Sequence, residues 1–475
     1  MTLSPPPTAT VVADPRRWTT LGFLGAAQLM LIVDVTVVAI ALPDLGSDLG
    51  LGREAATWVV SAYTLAFGGL MLVGGRVADL VGTRPVVLTG LAVFTAASLA
   101  SGLSVNGEML LAGRVGQGLG AALLSPAALS TVLHLFDGAE RSRALGVWSA
   151  LGGGGAALGV LVGGLLTAGP GWPWVFYVNL PIGVVVGVAL VRLLPRTSRP
   201  TPTGGVDALG AALVTAATGT GIYALIGAGD RGWTDATTIV LLAASAVLYV
   251  AFGVRQRTAR SPLMDLALLV RRPVAAGTFV VVTATALMVA AFFLGTFYLQ
   301  NRADHGALLT GVLFLPVAMA TMIGATAGGH AIGRVGARTL SVLGFAVAAA
   351  GFVVPAVADG SAAVVVGLAV AALGLGVLFV AASATALGQV APHESGIASG
   401  IVSTFHEFGA ALGAAVISSV AAVSLGGATL DGFVDGFTLA AVVAVAGGVV
   451  AGALVPGQSA ASGHAGHAGQ QGGIH

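Results

Sequence analysis

Residues 21–43 read LGFLGAAQLMLIVDVTVVAIALP, apolar almost throughout, with one acid, Asp34, near the middle. As a helix this run is long enough to cross about 30 Å of hydrocarbon. A carboxylate at that depth costs about 3 kcal/mol on insertion scales. Such a residue normally faces a protein-lined path, pairs with a partner, or carries a proton. Runs of this kind recur from end to end of the chain.

The composition agrees. Of 475 residues, 56% are hydrophobic and 8% charged, with mean hydropathy +0.97. A soluble globular chain carries about 25% charged residues. The fold class expected is all-α integral membrane, since a membrane barrel would show alternating segments of about ten residues instead. The expected spans are 19–43, 55–75, 85–104, 109–133, 144–168, 175–194, 207–228, 236–254, 273–299, 308–332, 339–357, 362–390, 397–424 and 436–455. Cysteine is absent, which excludes disulfides and thiol chemistry. No Gly-Lys-Ser/Thr phosphate loop is present, which argues against an ATP-driven pump. The net charge of +1 gives no reason to expect a nucleic-acid partner.

All 20 basic residues are arginine. With these spans, sixteen fall in loops on the side of the N-terminus and three on the other side, Arg53, Arg231 and Arg302. Arg114 lies within a span. That bias places both termini in the cytoplasm. Residues 1–18 and 456–475 read as disordered tails, and His464, His467 and His475 in the second are too loosely spaced to expect a metal site. Trp172, Trp174 and Trp233 read as anchors at the outer interface.

Glycine spacing shows a duplication. Gly75, Asp79, Gly82 and Arg84 recur as Gly329, Gly333, Gly336 and Arg338, and Gly146, Gly155 and Gly159 recur as Gly400, Gly409 and Gly413. Both sets share an offset of 254 residues, and GAALG is identical at 155–159 and 409–413. The repeat divides the chain into a six-helix half at 19–194, a linker with two inserted spans at 195–272, and a second six-helix half at 273–455. Paired six-helix halves are a transporter architecture with the substrate site between them.

Four stretches carry a family resemblance. They are Asp34–Pro43 in span 1, Gly75–Arg84 between spans 2 and 3, Arg114–Ala122 in span 4, and Gly146–Gly164 in span 5. In order and on these spans, they resemble the motifs of the major facilitator superfamily, in particular its drug:proton antiporters with fourteen spans. The sequence departs from the family pattern at three places: Leu80 replaces a basic residue, Val160 replaces a proline, and Gln256 stands where an acid is often found. The resemblance implies export of lipophilic drugs, dyes or antibiotics, driven by the proton gradient without a cofactor. It implies a monomer in the plasma membrane, with lipid, substrate and protons as its partners.

Candidate residues follow from burial cost and from the resemblance. Asp34, Arg114 and Glu407 are the proton-coupling candidates, Asp34 and Glu407 being acids at depth and Arg114 the intramembrane cation. Gln28, Gln117 and His406 are candidates for the substrate cavity. Asp79 and Arg84 are expected to latch onto a neighbouring helix end. Gly146, Gly155, Gly159, Gly163 and Gly164, with Gly409 and Gly413, form small-residue stripes that permit close helix approach. Spans 5 and 13 are expected to pack at the interface of the halves through these stripes. The alternatives are a proton-coupled importer of a small metabolite on the same scaffold, or a narrow exporter of a self-produced natural product. No clustered acids or histidines face a loop, so an enzyme is not expected, and no loop is long enough for a sensor's output domain.

Overall fold

The computed structural model describes residues 16–136, 138–194, 205–264, 266–388, 395–422, 424–425 and 429–457. The expected tails at 1–15 and 458–475, with His464, His467 and His475, lie outside the described residues, as does most of the loop at 195–206. The described residues are helical and hold no strand.

Among the described residues twelve helices are long and apolar enough to cross a membrane, and they become fourteen when Ala307–Val357 is divided at Gly336 and the 31-residue helix Gly138–Ala168 is added. They are α1 (Arg17–Asp48), α2 (Arg53–Val81), α3 (Thr83–Gly102), α4 (Gly107–Leu135), α5 (Gly138–Ala168) and α6 (Trp174–Leu193), followed by α7 (Ala208–Arg231) and α8 (Ala236–Thr258). Next come α9 (Arg272–Phe297), α10 and α11 (307–335 and 337–357), α12 (Ser361–Leu387), α13 (Ser395–Val420) and α14 (Asp431–Leu454). Helices α10 and α11 run on as one stretch, broken only at Gly336, whose φ of 80° no other residue type adopts cheaply. Gly82, its partner in the repeat, turns the chain between α2 and α3 with φ 94°. The repeated glycine is thus a repeated turn. Side chains of Asn106, Asp207 and Asp235 cap the starts of α4, α7 and α8.

Helix-end contacts support the alternation. Arg84 donates to the carbonyl of Val191 near the end of α6. Arg338, its repeat partner, donates to that of Gly452 near the end of α14. Both bonds lie on the face where α1 begins and α14 ends. Tyr177 to Gly102 and Trp172 to Asp48 join ends on the opposite face, called distal below. One missed span would have put such partners on opposite sides.

The glycine stripes do something different from the expectation. Spans 5 and 13 do not pair at the interface of the halves. Gly155, Gly159 and Gly163 face Ile32, Thr36 and Val37 of α1, so the stripe binds α5 to α1 within the first six helices. Gly409 and Gly413 face Val282 and Ala286, binding α13 to α9 in the same way. The first and last six helices instead meet along two seams related by the repeat, α5 with α10 and α2 with α13. The reason is register. Residues four apart share one helix face, so the 155–159–163 stripe presents to one neighbour, while Gly164 is turned about 100° onward. Gly164 alone of that set meets α10, against Ala307, Leu308 and Gly311. Gly146 lies on α5, and its surroundings are outside the described side chains.

The inserted helices break the symmetry. Helix α7 lies along both α2 and α13, while α8 packs on α7 and is otherwise mostly exposed. The hairpin therefore covers one seam and not the other. Arg53 ties the distal end of that seam. It donates to Asp230 at 2.6 Å and to the Ile226 carbonyl at 2.9 Å, both on α7, and to the Ser418 carbonyl on α13 at 3.4 Å. A second distal tie comes from the π-helical turn Tyr298–Arg302 at the end of α9, where Gln300 donates to the Ile40 carbonyl of α1 at 2.8 Å. These bonds tie the distal side together. Arg53→Gln is expected to loosen it. A cysteine placed at the fully buried Ser418, in a chain otherwise free of cysteine, should then react about tenfold faster with a membrane-impermeant maleimide. That factor corresponds to losing a charge-assisted bond of about 1.5 kcal/mol.

Of the tryptophans, Trp174 and Trp233 are about half exposed at helix ends, as anchors are. Trp172 is not an anchor. It is buried and its indole N–H donates to Asp48 at 2.8 Å.

Candidate functional site

Asp34 is fully buried on α1 and fully engaged. Its Oδ2 accepts from Arg114 Nη1 at 2.5 Å. Its Oδ1 accepts from Gln117 Nε2 at 2.8 Å and from Asn179 Nδ2 at 2.9 Å. Arg114 and Gln117 are presented by one face of α4, three residues apart. Arg114 Nη1 also donates to Gln117 Oε1 at 2.9 Å, and its Nε to the Val59 carbonyl of α2 at 2.9 Å. The guanidinium carbon stands 4.4 Å from the centroid of the Tyr63 ring, a cation–π contact in a dry setting. Ser98 of α3 accepts from both Gln117 and Asn179. Five helices thus converge on one carboxylate.

A buried ion pair recovers its desolvation cost only with good geometry and further hydrogen bonds. Here every oxygen of Asp34 has a donor, and Arg114 has three acceptors and an aromatic face. Arginine keeps its proton, so the acid is the partner whose charge can change.

Asp34, Arg114 and Gln117, all candidates from the sequence, are brought together. Asn179, Ser98 and Tyr63 were not among the candidates. Asn179 was findable, since it is the sole amide in an otherwise apolar sixth span. Ser98 gave no signal.

The other candidates lie apart. Glu407 is half-buried on α13 at the seam with α2, where a Cβ built on Gly68 would come within 2.7 Å of its own Cβ. Among the described residues it has no hydrogen-bond or ion-pair partner. His406 turns away to share a 2.9 Å hydrogen bond with Thr285 of α9, and its ring lies 5.7 Å from that of Phe379. It is engaged inside the last six helices, while Glu407 looks toward the first six. Gln28 is half-buried on α1 and its Oε1 has no hydrogen-bond partner. Arg84 meets a helix end as expected, whereas Asp79 is exposed and takes no partner among the described residues. Gln256 is buried. It donates to Asp207 at 2.9 Å and accepts from the amides of Leu263 and Met264, tying the chain after α8 to the start of α7.

The profile of the Major Facilitator Superfamily matches residues 24–414. The chain belongs to the major facilitator superfamily. Within the superfamily, it is 37% identical over 451 residues to a puromycin resistance protein of Streptomyces alboniger, covering 91% of this chain and 89% of that one. It is 35% identical over 403 residues to a cephamycin export protein of Amycolatopsis lactamdurans, covering 83% of each. A lincomycin resistance protein of Streptomyces lincolnensis is 33% identical, with 93% and 92% covered. These relatives agree with the resemblance to superfamily drug exporters read from the motifs. Among solved structures, a peptide transporter bound to sulfate superposes with TM-score 0.66 at 18% identity, covering 93% of this chain and 95% of that one. A bacterial homologue of the lysosomal transporter Spinster, inward-facing and unoccupied, gives 0.63 at 15% identity, with 93% and 97% covered. At those identities the likeness is one of fold.

Proposed function

We propose that this chain exports a lipophilic antibiotic or drug across the cell membrane in exchange for protons moving inward. The observation that carries the reading is the buried Asp34–Arg114 pair, in a superfamily chain whose relatives are antibiotic resistance and export proteins. Both termini are cytoplasmic on the arginine count, so the distal side is external. The structure is then closed outward, at the stage when a proton is released inward and substrate is taken up. Protonation of Asp34 from outside frees Arg114 from its counter-ion, and the two halves rock about the seams. Glu407 supplies a second acid, placed where α2 and α13 slide past each other. It can receive a cationic substrate or share the proton path. A monomer suffices, because both seams form within one chain.

A second reading keeps the same machinery but narrows the cargo to one natural product. It is favoured by relatives whose names each state a single compound. One experiment sorts the two. Cells expressing the chain are loaded with ethidium, puromycin and lincomycin, with and without a protonophore. Accumulation should be several-fold lower than in control cells and should return to the control level with the protonophore. A response to one compound points to the narrow exporter, and a response to several to the broad one. Higher accumulation than control, driven by the gradient, would instead establish an importer.

A further inference from the structure

We infer that the Tyr63 hydroxyl is the proton-transfer station between Asp34 in the first half and Glu407 in the second. The inference rests on the proton-exchange reading above and adds a route to it. The two acids sit in different halves, and no bond joins them. Asp34 is saturated by three donors, while Glu407 has none among the described residues. Any proton passing between them needs a group that both can reach.

Helix α2 is the element common to both. Its Val59 carbonyl holds Arg114, and its Gly68 admits the stem of Glu407. Tyr63 lies between these two positions. Its side chain is fully buried and its Oη has no hydrogen-bond partner. The phenol is within electrostatic range of Asp34, Arg114 and Glu407 together. The Arg114 guanidinium sits over its ring, and Phe67 tilts against it with centroids 5.8 Å apart.

A buried hydroxyl without a partner costs about 1–3 kcal/mol. Phenylalanine would keep the ring contacts with Arg114 and Phe67 and avoid that cost. The hydroxyl therefore adds nothing to the packing of this conformation, and the inference is that a shift of the seam would bring it a partner. A phenol can then accept a proton from one carboxyl on its oxygen lone pair and release its own proton to the other carboxylate. One O–H bond forms as another breaks. The phenol ends neutral, one acid is deprotonated, and the other is protonated.

The test uses the full-length chain in proteoliposomes, with ethidium, puromycin and lincomycin as probes. Wild type, Asp34→Asn and Tyr63→Phe are compared for gradient-driven transport, for probe exchange without net proton movement, and for thermal unfolding. Tyr63→Phe should lose gradient-driven transport by about 100-fold, the lower end of what a positioned proton-transfer group contributes. It should keep probe exchange and unfold no earlier than wild type. A purely structural tyrosine would leave transport untouched. Full gradient-driven transport by Tyr63→Phe, with Asp34→Asn inactive, overturns the station and leaves the proton-exchange reading standing. Transport that persists in Asp34→Asn overturns both.

Discussion

Asp34→Asn is expected to abolish gradient-driven export while the chain still folds and inserts. The amide matches the carboxylate in shape, so packing against α4 and α6 is kept. Two things are lost. The site can no longer take up and release a proton, and Arg114 loses its counter-ion. Removing one member of a buried pair costs about 3–5 kcal/mol. Part of that is offset here, because the Asn oxygen can still accept from Arg114, whose Val59, Gln117 and Tyr63 contacts remain. Accumulation of a transported probe should then be the same with and without a protonophore, and equal to that of control cells. Normal export by this variant would remove Asp34 from the mechanism. Asp359, outside the membrane, gives no competing account of pH dependence in the neutral range. The Tyr298 hydroxyl beside Asp359, helped by the Gly360 amide, holds that carboxyl below the usual carboxylate range. Its contribution is fully present above the unfolded value of about 3.9 and is lost only as pH falls through the lower folded one.

Much of this architecture was legible because a membrane leaves few choices. Span count, alternation and the duplication all follow from hydropathy, arginine placement and glycine spacing. The cost of burying charge singled out Asp34 and Arg114 as needing partners, but Gln117, expected to line the substrate cavity, instead bonds to both. Besides Ser98, three things were not legible. The glycine stripe announced a close helix contact but not its partner, since small residues fit any neighbour. Only the coordinates assign Gly159 to α1 and Gly164 to α10. Trp172 looked like an interface anchor because sequence position gives depth, not direction. Tyr63 was invisible because a tyrosine in an apolar helix reads as core, and what marks it is an unpaired hydroxyl.

Gly311→Leu is expected to hold the distal side of the α5–α10 seam open and to stop transport. A Cβ at Gly311 would lie 2.5 Å from the Val160 carbonyl oxygen and 3.2 Å from the Gly164 Cα. Conversely, a Cβ at Gly164 would lie 2.8 Å from the Ala307 carbonyl oxygen. These neighbours are backbone, so no side-chain rotation relieves the clash and the helices themselves must part. Overpacking of this kind costs about 1–3 kcal/mol, or roughly ten- to hundredfold in a two-state equilibrium. The cost falls only on the distally closed state, because the seam separates when that side opens. Thr310, fully buried beside Gly311, offers a near-isosteric place for a reporter cysteine. In Thr310→Cys alone, labelling by a membrane-impermeant maleimide should be slow. Adding Gly311→Leu should speed it at least about tenfold, while gradient-driven transport falls by a similar factor. Unchanged labelling in a correctly inserted double variant would mean that this glycine pair does not form the distal closure. The other ties, Arg53 to α7 and α13 and Gln300 to α1, would then carry it alone. Because α7 covers only the α2–α13 seam, the two seams are open to separate test, and among the described residues the α5–α10 seam is held by close packing alone, with no hydrogen bond or ion pair across it.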